Sequence, residues 1–500
     1  MASSQDDVIK NVPANSSASD GPEDSVKDGV LGVVEHHVLQ ERTIGLFGAV
    51  SLVVNKIIGA GIFSTPSTIF KLSGSVGMAL MSWVIAAVIS TCGVFVMLDP
   101  RLMQTCIYVF YCTFLQVSAS NAITFSSYLL VAAGVDSTTW TLRGVAIAGA
   151  AFSVGIHAVA PRIGRGIQDV LSAVKLFTLL FIVCCGFAVL AGHLRIESPR
   201  NFENAFEGTS SSGYNIGSAI LNAIFSFQGY DNVNAVLSEV RNPQKTLRLA
   251  LPLSMGIIAV LYLLANVAYF AAVPKEDFIA AKVTVAATLF KNVFGESAGT
   301  KALPALVALS ALGHLLGVAF TVPRLLQELA KDGVLPFSNL FMENRPFRTP
   351  IYALTLHLGV TILFICAAPA GDAFNFVVSL SSYPTTVLLF AITVGLVKLR
   401  LTDKSFRSPL PAPWALIVIY LVANIFLIIM PFVRPPNGKG STSLPYWLSS
   451  VVALAILSLG IIYYVLRFVV TPKAFGYRHE EITQELSDGS QVTRFRRVPR

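Results

Sequence analysis

Within the apolar run from Ile44 to Leu72, the stretch Ile57-Ile58-Gly59-Ala60-Gly61-Ile62 decides how the rest of the chain is read. The flanking residues suit a helix in lipid, but two glycines sit near the middle, where each disfavours helix by about 1 kcal/mol. A second apolar run, Asn215 to Glu239, is interrupted in the same way by Ser226-Phe227-Gln228-Gly229-Tyr230-Asp231. Unpaired backbone cannot face lipid, so breaks in corresponding helices predict a cavity between structural repeats. Taken alone, Gly59 and Gly61 would also fit close helix packing; the recurrence in the later run is what favours a break.

The composition around these breaks is that of a membrane protein. Of 500 residues, 54% are hydrophobic and 13% charged, with a mean hydropathy of +0.67. Soluble domains carry roughly 45–50% apolar and 25% charged residues, so a soluble enzyme is excluded. A hydrocarbon core about 30 Å thick needs about 20 apolar residues per helix. Such spans are predicted at Ile44 to Leu72, Val76 to Leu98, Leu102 to Ala133, Trp140 to Ala160, Gln168 to Ala191 and Asn215 to Glu239. The second half adds Leu249 to Val273, Leu303 to Leu329, Pro350 to Ala368, Ala373 to Val397, Ala412 to Phe432 and Tyr446 to Val470. The fold class is therefore an all-α polytopic membrane protein of about twelve helices, a five-plus-five inverted repeat with helices 1 and 6 broken. The first repeat covers about 44–192 and the second about 215–398, followed by two extra helices over about 412–470; together, 43–470 form the transporter domain.

An even number of spans puts both termini on one side. Arg162 and Arg165, then Arg241, Lys245 and Arg248, then Lys331, Arg345 and Arg348, then Lys398, Arg400, Lys404 and Arg407 fall in alternate loops, which predicts that those loops and both tails are cytoplasmic. Lys275, Lys282, Lys291 and Lys301 lie on the other side, mixed with Glu276, Asp277 and Glu296. The formal charge of +8 is thus topological rather than a nucleic-acid footprint. Residues 1–42 are rich in Ser, Asp and Asn, lack a signal-peptide core and read as a disordered tail; residues 471–500 read as a second tail. Cys92, Cys106, Cys112, Cys184, Cys185 and Cys366 all lie in hydrophobic segments and indicate neither a disulfide framework nor a metal site. No nucleophile-base or metal motif appears, so neither catalysis nor a cofactor is expected.

An unwound helix offers free N–H groups at the start of one half and free carbonyls at the end of the other, which together suit a zwitterion. The N–H groups of Ala60, Gly61 and Ile62 are candidates for a carboxylate. The carbonyls of Ile57, Ile58, Phe225 and Ser226 are candidates for an ammonium.

The residues Asn55-Lys-Ile-Ile-Gly-Ala-Gly-Ile-Phe-Ser-Thr-Pro66, followed by Gly74-Ser-Val-Gly77, resemble the first-helix motif of the amino acid/polyamine/organocation superfamily in its L-type branch. The resemblance continues in Phe225-Ser-Phe-Gln-Gly-Tyr-Asp-Asn-Val-Asn234, Ser238-Glu-Val-Arg-Asn-Pro243, Arg324-Leu325 and Ala330-Lys-Asp-Gly-Val-Leu-Pro336. It spans most of Glu41 to Val470 and is strongest to fungal high-affinity methionine permeases. It implies a proton-coupled plasma-membrane importer of a neutral amino acid, with methionine expected. A broader neutral exchanger and a non-transporting amino acid sensor are the alternatives. Exchangers of this branch pair with a heavy chain through a cysteine after the third helix; here Gly134-Val-Asp-Ser-Thr-Thr139 has none, so no disulfide-linked partner is expected.

Ionisable residues inside spans are costly and point to function. Lys175 matches the fifth-helix lysine that members of the resembled family place where sodium-coupled cousins bind a cation. It is the candidate proton-coupling site, bridging helices 1 and 8, or else a fixed structural cation. Lys56 and Asp231 either pair across the repeats or face a wet vestibule. Phe225 stands at the family's gating aromatic, with core packing as its plain alternative, and Glu239 with Arg241 is placed as a cytoplasmic gate or helix-end contact. Gln228 replaces a small residue of the exchangers and narrows the pocket or adds a hydrogen bond. The proposed substrate-binding set is thus Ile57, Ile58, Gly59, Ala60, Gly61, Ile62, Phe225, Ser226 and Gln228. His157, His314 and His357 are assigned to hydrogen bonds between helices and left out of the site.

One departure stands out. Only Asp99-Pro-Arg101 follows Val94-Phe-Val-Met-Leu98 before the third span, where the resembled family carries a longer stretch with a loop and an amphipathic helix. The gap fits an incomplete coding sequence, an inactive spliced form or a genuine variant. Restoring a family-length segment between Leu98 and Arg101 is expected to raise uptake without changing which amino acids compete; equal uptake by the unmodified chain would refute the truncation.

Overall fold

The computed structural model describes residues 44–94, 102–136, 138–193, 196–230, 240–281, 284–344, 347, 349–367, 373–402, 413–435, 444–485 and 491–499. The first predicted span forms three pieces: α1 (Leu46–Ile57), α2 (Gly61–Ser64) and α3 (Pro66–Ser73). Helix α3 starts on a proline, whose missing N–H costs nothing at a first turn, and ends at Gly74 in a left-handed conformation with φ +76°. Helix α4 (Val76–Val94) forms the second span, and the short Asp99-Pro-Arg101 connection lies outside the described residues.

The third predicted span is not one helix but two, α5 (Leu102–Phe114) and α6 (Ala119–Ala133). At the junction Gln116 N–H reaches back to Tyr111 O at 3.2 Å, one residue beyond the α-helical register. Hydrophobicity alone ran through this bend, because the joining residues remain largely apolar. Then follow α7 (Thr139–Val159), α8 (Pro161–Leu190) and α9 (Gly213–Phe227), the last ending where the sixth span was expected to break. Gln228 turns extended (ψ 143°), Gly229 takes φ +115°, and the residues from Asp231 to Glu239 lie outside the described set.

The second half contributes α10 (Pro243–Ala272), two short helices α11 (Lys275–Ala280) and α12 (Val285–Phe294) in a predicted connection, and α13 (Glu296–Lys331). After α14 (Ser338–Met342) come α15 (Ile351–Ala367), α16 (Ala373–Thr402), α17 (Trp414–Ile429) and α18 (Leu448–Tyr464). Every one of the twelve predicted spans thus contains a helix. Ten helical stretches among the described residues are long and apolar enough to cross a membrane. The other two spans hold the 15-residue α9, which stops at the break after Phe227, and the 17-residue α15.

The tail after 470 contradicts a purely helical reading. Beyond a short α19 (Thr471–Ala474), β1 (Tyr477–Glu485) and β2 (Gln491–Pro499) pair antiparallel, Tyr477 opposite Pro499. Phe495 packs edge-on against Phe468 at 5.1 Å, an aromatic contact that composition could not foretell. One residue before Phe468, Arg467 donates to the carbonyls of Gly333 (3.0 Å) and Leu335 (3.2 Å) in the turn that follows α13.

Two contacts position the first break. Trp83 of α4 meets Phe227 and Tyr262 edge-on at 6.0 and 5.8 Å, wedging α9 and α10 beside α1. At the start of α1, Arg241 N–H donates to Ile44 O at 2.8 Å, tying the chain beyond the sixth-span break to the first span.

Glycines mark the closest approaches elsewhere. A Cβ on Gly460 of α18 would lie 2.6 Å from Cα of Ile107 in α5, whereas one on Gly256 of α10 would meet nothing within 4 Å. Gly460→Val is therefore expected to destabilise the protein by about 1–3 kcal/mol through overpacking. Thermal unfolding in detergent, with Gly256→Val as the nearly neutral control, checks this.

Candidate substrate site

At the first break the helix stops at Ile57, with Ile58 at ψ 89°, and restarts at Gly61. The backbone groups released there are met by side chains from other spans. Tyr262 Oη of α10 donates to Ile57 O at 3.0 Å, and Lys175 Nζ of α8 donates to Asn55 O at 2.8 Å. Asn121 Oδ1 of α6 accepts Ala60 N–H at 2.7 Å. Tyr128 Oη, about two turns further along α6, donates to Phe63 O at 3.2 Å. Gly61 N–H and Ile62 N–H have no acceptor among the described residues.

The two breaks lie directly against each other. A Cβ on Gly61 would come 2.6 Å from both Cα and Oγ of Ser226. Gly229, whose φ of +115° suits only glycine, is covered by the Lys56 side chain. Between the breaks opens a cavity of about 100 Å³. Its lining includes Ile57, Gly59, Ala60, Gly61, Phe225 and Gln228, six of the nine residues proposed for substrate binding, together with Lys56. Ile58, Ile62 and Ser226 are buried behind it instead: the two isoleucines lie in the hydrophobic core, and Ser226 Oγ pairs with Thr65 Oγ1 at 3.0 Å. Glu239 and Asp231 lie outside the described residues.

Polar groups sit where a solute would meet them. Gln228 Nε2 is a buried donor with no acceptor among the described residues. Phe225, half-buried, packs on Ala60, Ile123 and Val378 at the cavity edge. Ile57 O and Ala60 N–H, both candidates for the zwitterion, are already engaged by Tyr262 and Asn121. Of the N–H candidates, those of Gly61 and Ile62 remain open among the described residues, and of the carbonyl candidates Phe225 O accepts Gln228 N–H at 3.2 Å.

The structure also brings here residues that the motifs did not mark. Asn121 and His314 face the cavity, as do Tyr111 and Thr385, whose hydroxyls pair at 2.8 Å, and Tyr420 with Asn424. Asn121 is a lone amide within an apolar helix, and the cost of such groups in lipid was the signal that could have found it. His314 of α13 makes the bond between helices assigned to it, to the Lys56 backbone of α1, and also faces the cavity. His357 keeps to that assignment, its Nε2 pairing with Ser118 Oγ at 3.2 Å, whereas neither ring nitrogen of His157 has a hydrogen-bond partner among the described residues and its ring tilts against Phe320 at 5.5 Å.

Lys175 is fully buried, and its Nζ reaches helix 1 through Asn55 O, as expected. It also abuts the eighth span, since a Cβ on Gly313 of α13 would lie 2.9 Å from Lys175 Cε. No acidic side chain forms an ion pair with Lys175 among the described residues.

The family model described as amino acid permease matches residues 100–457, from within the short connection to the middle of α18. The chain belongs to the amino acid permease family. The high-affinity methionine permease of Saccharomyces cerevisiae is 37% identical over 466 residues, covering 88% of this chain and 81% of the relative. The low-affinity methionine permease of the same yeast is 29% identical over 92% of this chain and 89% of its own length. The b(0,+)-type amino acid transporter 1 of Mus musculus is 27% identical over 85% and 88% respectively. The chain is thus an integral membrane protein of amino acid transport, in a family of permeases and not of enzymes.

For this permease, Gly61→Val adds a branched side chain where two backbones touch and where a carboxylate would approach Gly61 N–H. Correctly inserted Gly61→Val protein is expected to lose substrate binding by more than about tenfold, a shift of about 1.4 kcal/mol. Normal binding in a scintillation-proximity assay would remove the break from the site.

Proposed function

We propose that the chain imports a neutral L-amino acid, with methionine the first candidate, and couples the import to a proton. The observation that carries this is Lys175, a fully buried lysine whose one hydrogen bond among the described residues is to Asn55 O, two residues before the end of α1. A charge placed there feels any rearrangement of the break, and loss or gain of its proton in turn changes what holds α1 to α8.

The substrate would lie across the cavity with its carboxylate at the N–H groups of the first break, those of Ala60, Gly61 and Ile62, and its ammonium toward the carbonyls of the two breaks. No charged protein group is then needed for either end. Gln228 Nε2 would donate to the bound molecule, and Phe225 would close over it and exclude water. The names of the yeast relatives favour methionine, whose flexible thioether suits an apolar wall interspersed with hydroxyls. The basic loops favour cytoplasmic termini, and the plasma membrane is the expected location. The repeats are read as about 44–192 and 215–398. The permease is read as working without a disulfide-linked partner, because the connection from Gly134 to Thr139 carries no cysteine.

Radiolabelled methionine uptake in permease-deficient cells, with competing amino acids and several external pH values, tests substrate and coupling together. Uptake independent of pH would remove the proton, and uncompeted uptake of another amino acid would remove methionine. For Lys175→Ala in proteoliposomes, exchange of amino acid is expected to persist while accumulation driven by a pH gradient falls to background. Joint loss of both activities in monodisperse protein would make the lysine structural, and retained accumulation would reject its coupling role.

A further inference from the structure

Two polar atoms crowd Gly59 from opposite partners. A Cβ there would lie 2.6 Å from Asn121 Oδ1 of α6 and 2.7 Å from His314 Nδ1 of α13, so the amide and the ring are near neighbours across one glycine. Both residues face the cavity. They differ in how well they are satisfied: Asn121 Oδ1 holds Ala60 N–H at 2.7 Å, whereas His314 Nδ1 is buried without a partner. An unpaired buried nitrogen costs roughly as much as a lost hydrogen bond, so its persistence calls for an explanation.

We propose that Asn121 is a stand-in for the substrate carboxylate and moves to His314 when the site fills. In the empty site, the amide oxygen occupies the N–H that an unwound helix presents to an anion. A carboxylate is the stronger acceptor for that N–H, because charge-assisted hydrogen bonds are roughly twice as strong as neutral ones. The displaced amide then donates an N–H to His314 Nδ1, which accepts because the other ring nitrogen is held by the Lys56 backbone. Substrate entry thereby satisfies a group that the empty site leaves unpaired, and it links α2, α6 and α13 through a single exchange. Asn121 and His314 are thus positioning residues for the anionic end of any α-amino acid. The proposal rests on the carboxylate lying at the first break but not on which side chain the substrate carries.

A double-mutant cycle on purified protein tests it, with L-methionine as probe and L-leucine as the replacement if the unsubstituted protein binds leucine and not methionine. Failure to bind methionine would count against the substrate reading alone; the pattern among variants decides the exchange. His314→Phe is expected to weaken binding about fivefold to tenfold, the size of one hydrogen bond. In the Asn121→Ala background the same change should cost less than about twofold, because no amide remains to be received. His314→Asn, which keeps a hydrogen-bonding group, should restore much of the loss. Equal loss in both backgrounds, or no loss in either, would overturn the exchange. If the His314 variants fail to fold, the His314 Nδ1 nitrogen-15 resonance of selectively labelled protein provides the second measurement. It is expected to shift on adding substrate in the unsubstituted protein and to stay in place in Asn121→Ala; a shift in both, or in neither, would refute the proposal.

Discussion

Backbone left unpaired by the interrupted first helix has to be satisfied inside the protein, and much of the arrangement around the cavity follows from that. Lipid offers no hydrogen bonds, so each released N–H or C=O needs a side chain, a solute or another backbone group. Tyr262, Asn121 and Lys175 come from three different spans to meet Ile57 O, Ala60 N–H and Asn55 O. The break is therefore a point where α1, α6, α8 and α10 are joined by polar contacts. Gly61 N–H and Ile62 N–H, left without an acceptor among the described residues, are what make it a site rather than only a joint.

The glycines do more than interrupt helix. Gly61 lets the first break lie against the Ser226 backbone, and Gly229 gives way to the Lys56 side chain from the opposite direction. Small residues at both breaks bring the two main chains together, so that a ligand between them meets peptide groups rather than side-chain charges. Such a surface suits a net-neutral zwitterion, which carries opposite charges that two sets of backbone dipoles can meet separately.

Polar groups away from the cavity also serve to join elements. Arg467 fastens the end of the last span to the carbonyls after α13, and Asn201 Nδ2 donates to Phe270 O and Val273 O at the end of α10. In a chain with so few charges, each such contact falls where a helix ends and leaves carbonyls without intrahelical partners. The same logic places Lys175 at the end of α1, where its cation meets a helix C-terminus.

Hydrophobic run length by itself determined the number and approximate limits of the spans, because a helix in lipid needs its length of apolar residues whatever its neighbours. Glycines, a pair in the first break and Gly229 in the second, located both breaks, since the energetic cost of glycine in a helix is local. Which backbone groups remain open there is not local. Ala60 N–H looked equivalent to Gly61 N–H until the fold brought Asn121, 61 positions along the chain, onto it. Ile58, Ile62 and Ser226 share the motif but turn into the packing, because helix phase and neighbours, not motif membership, decide which way a residue faces. His314 was indistinguishable in sequence from His157 and His357, and only tertiary packing set it in the cavity. The bend at Gln116 and the hairpin beyond Thr471 were likewise out of reach, as both depend on long-range contacts that hydropathy does not encode.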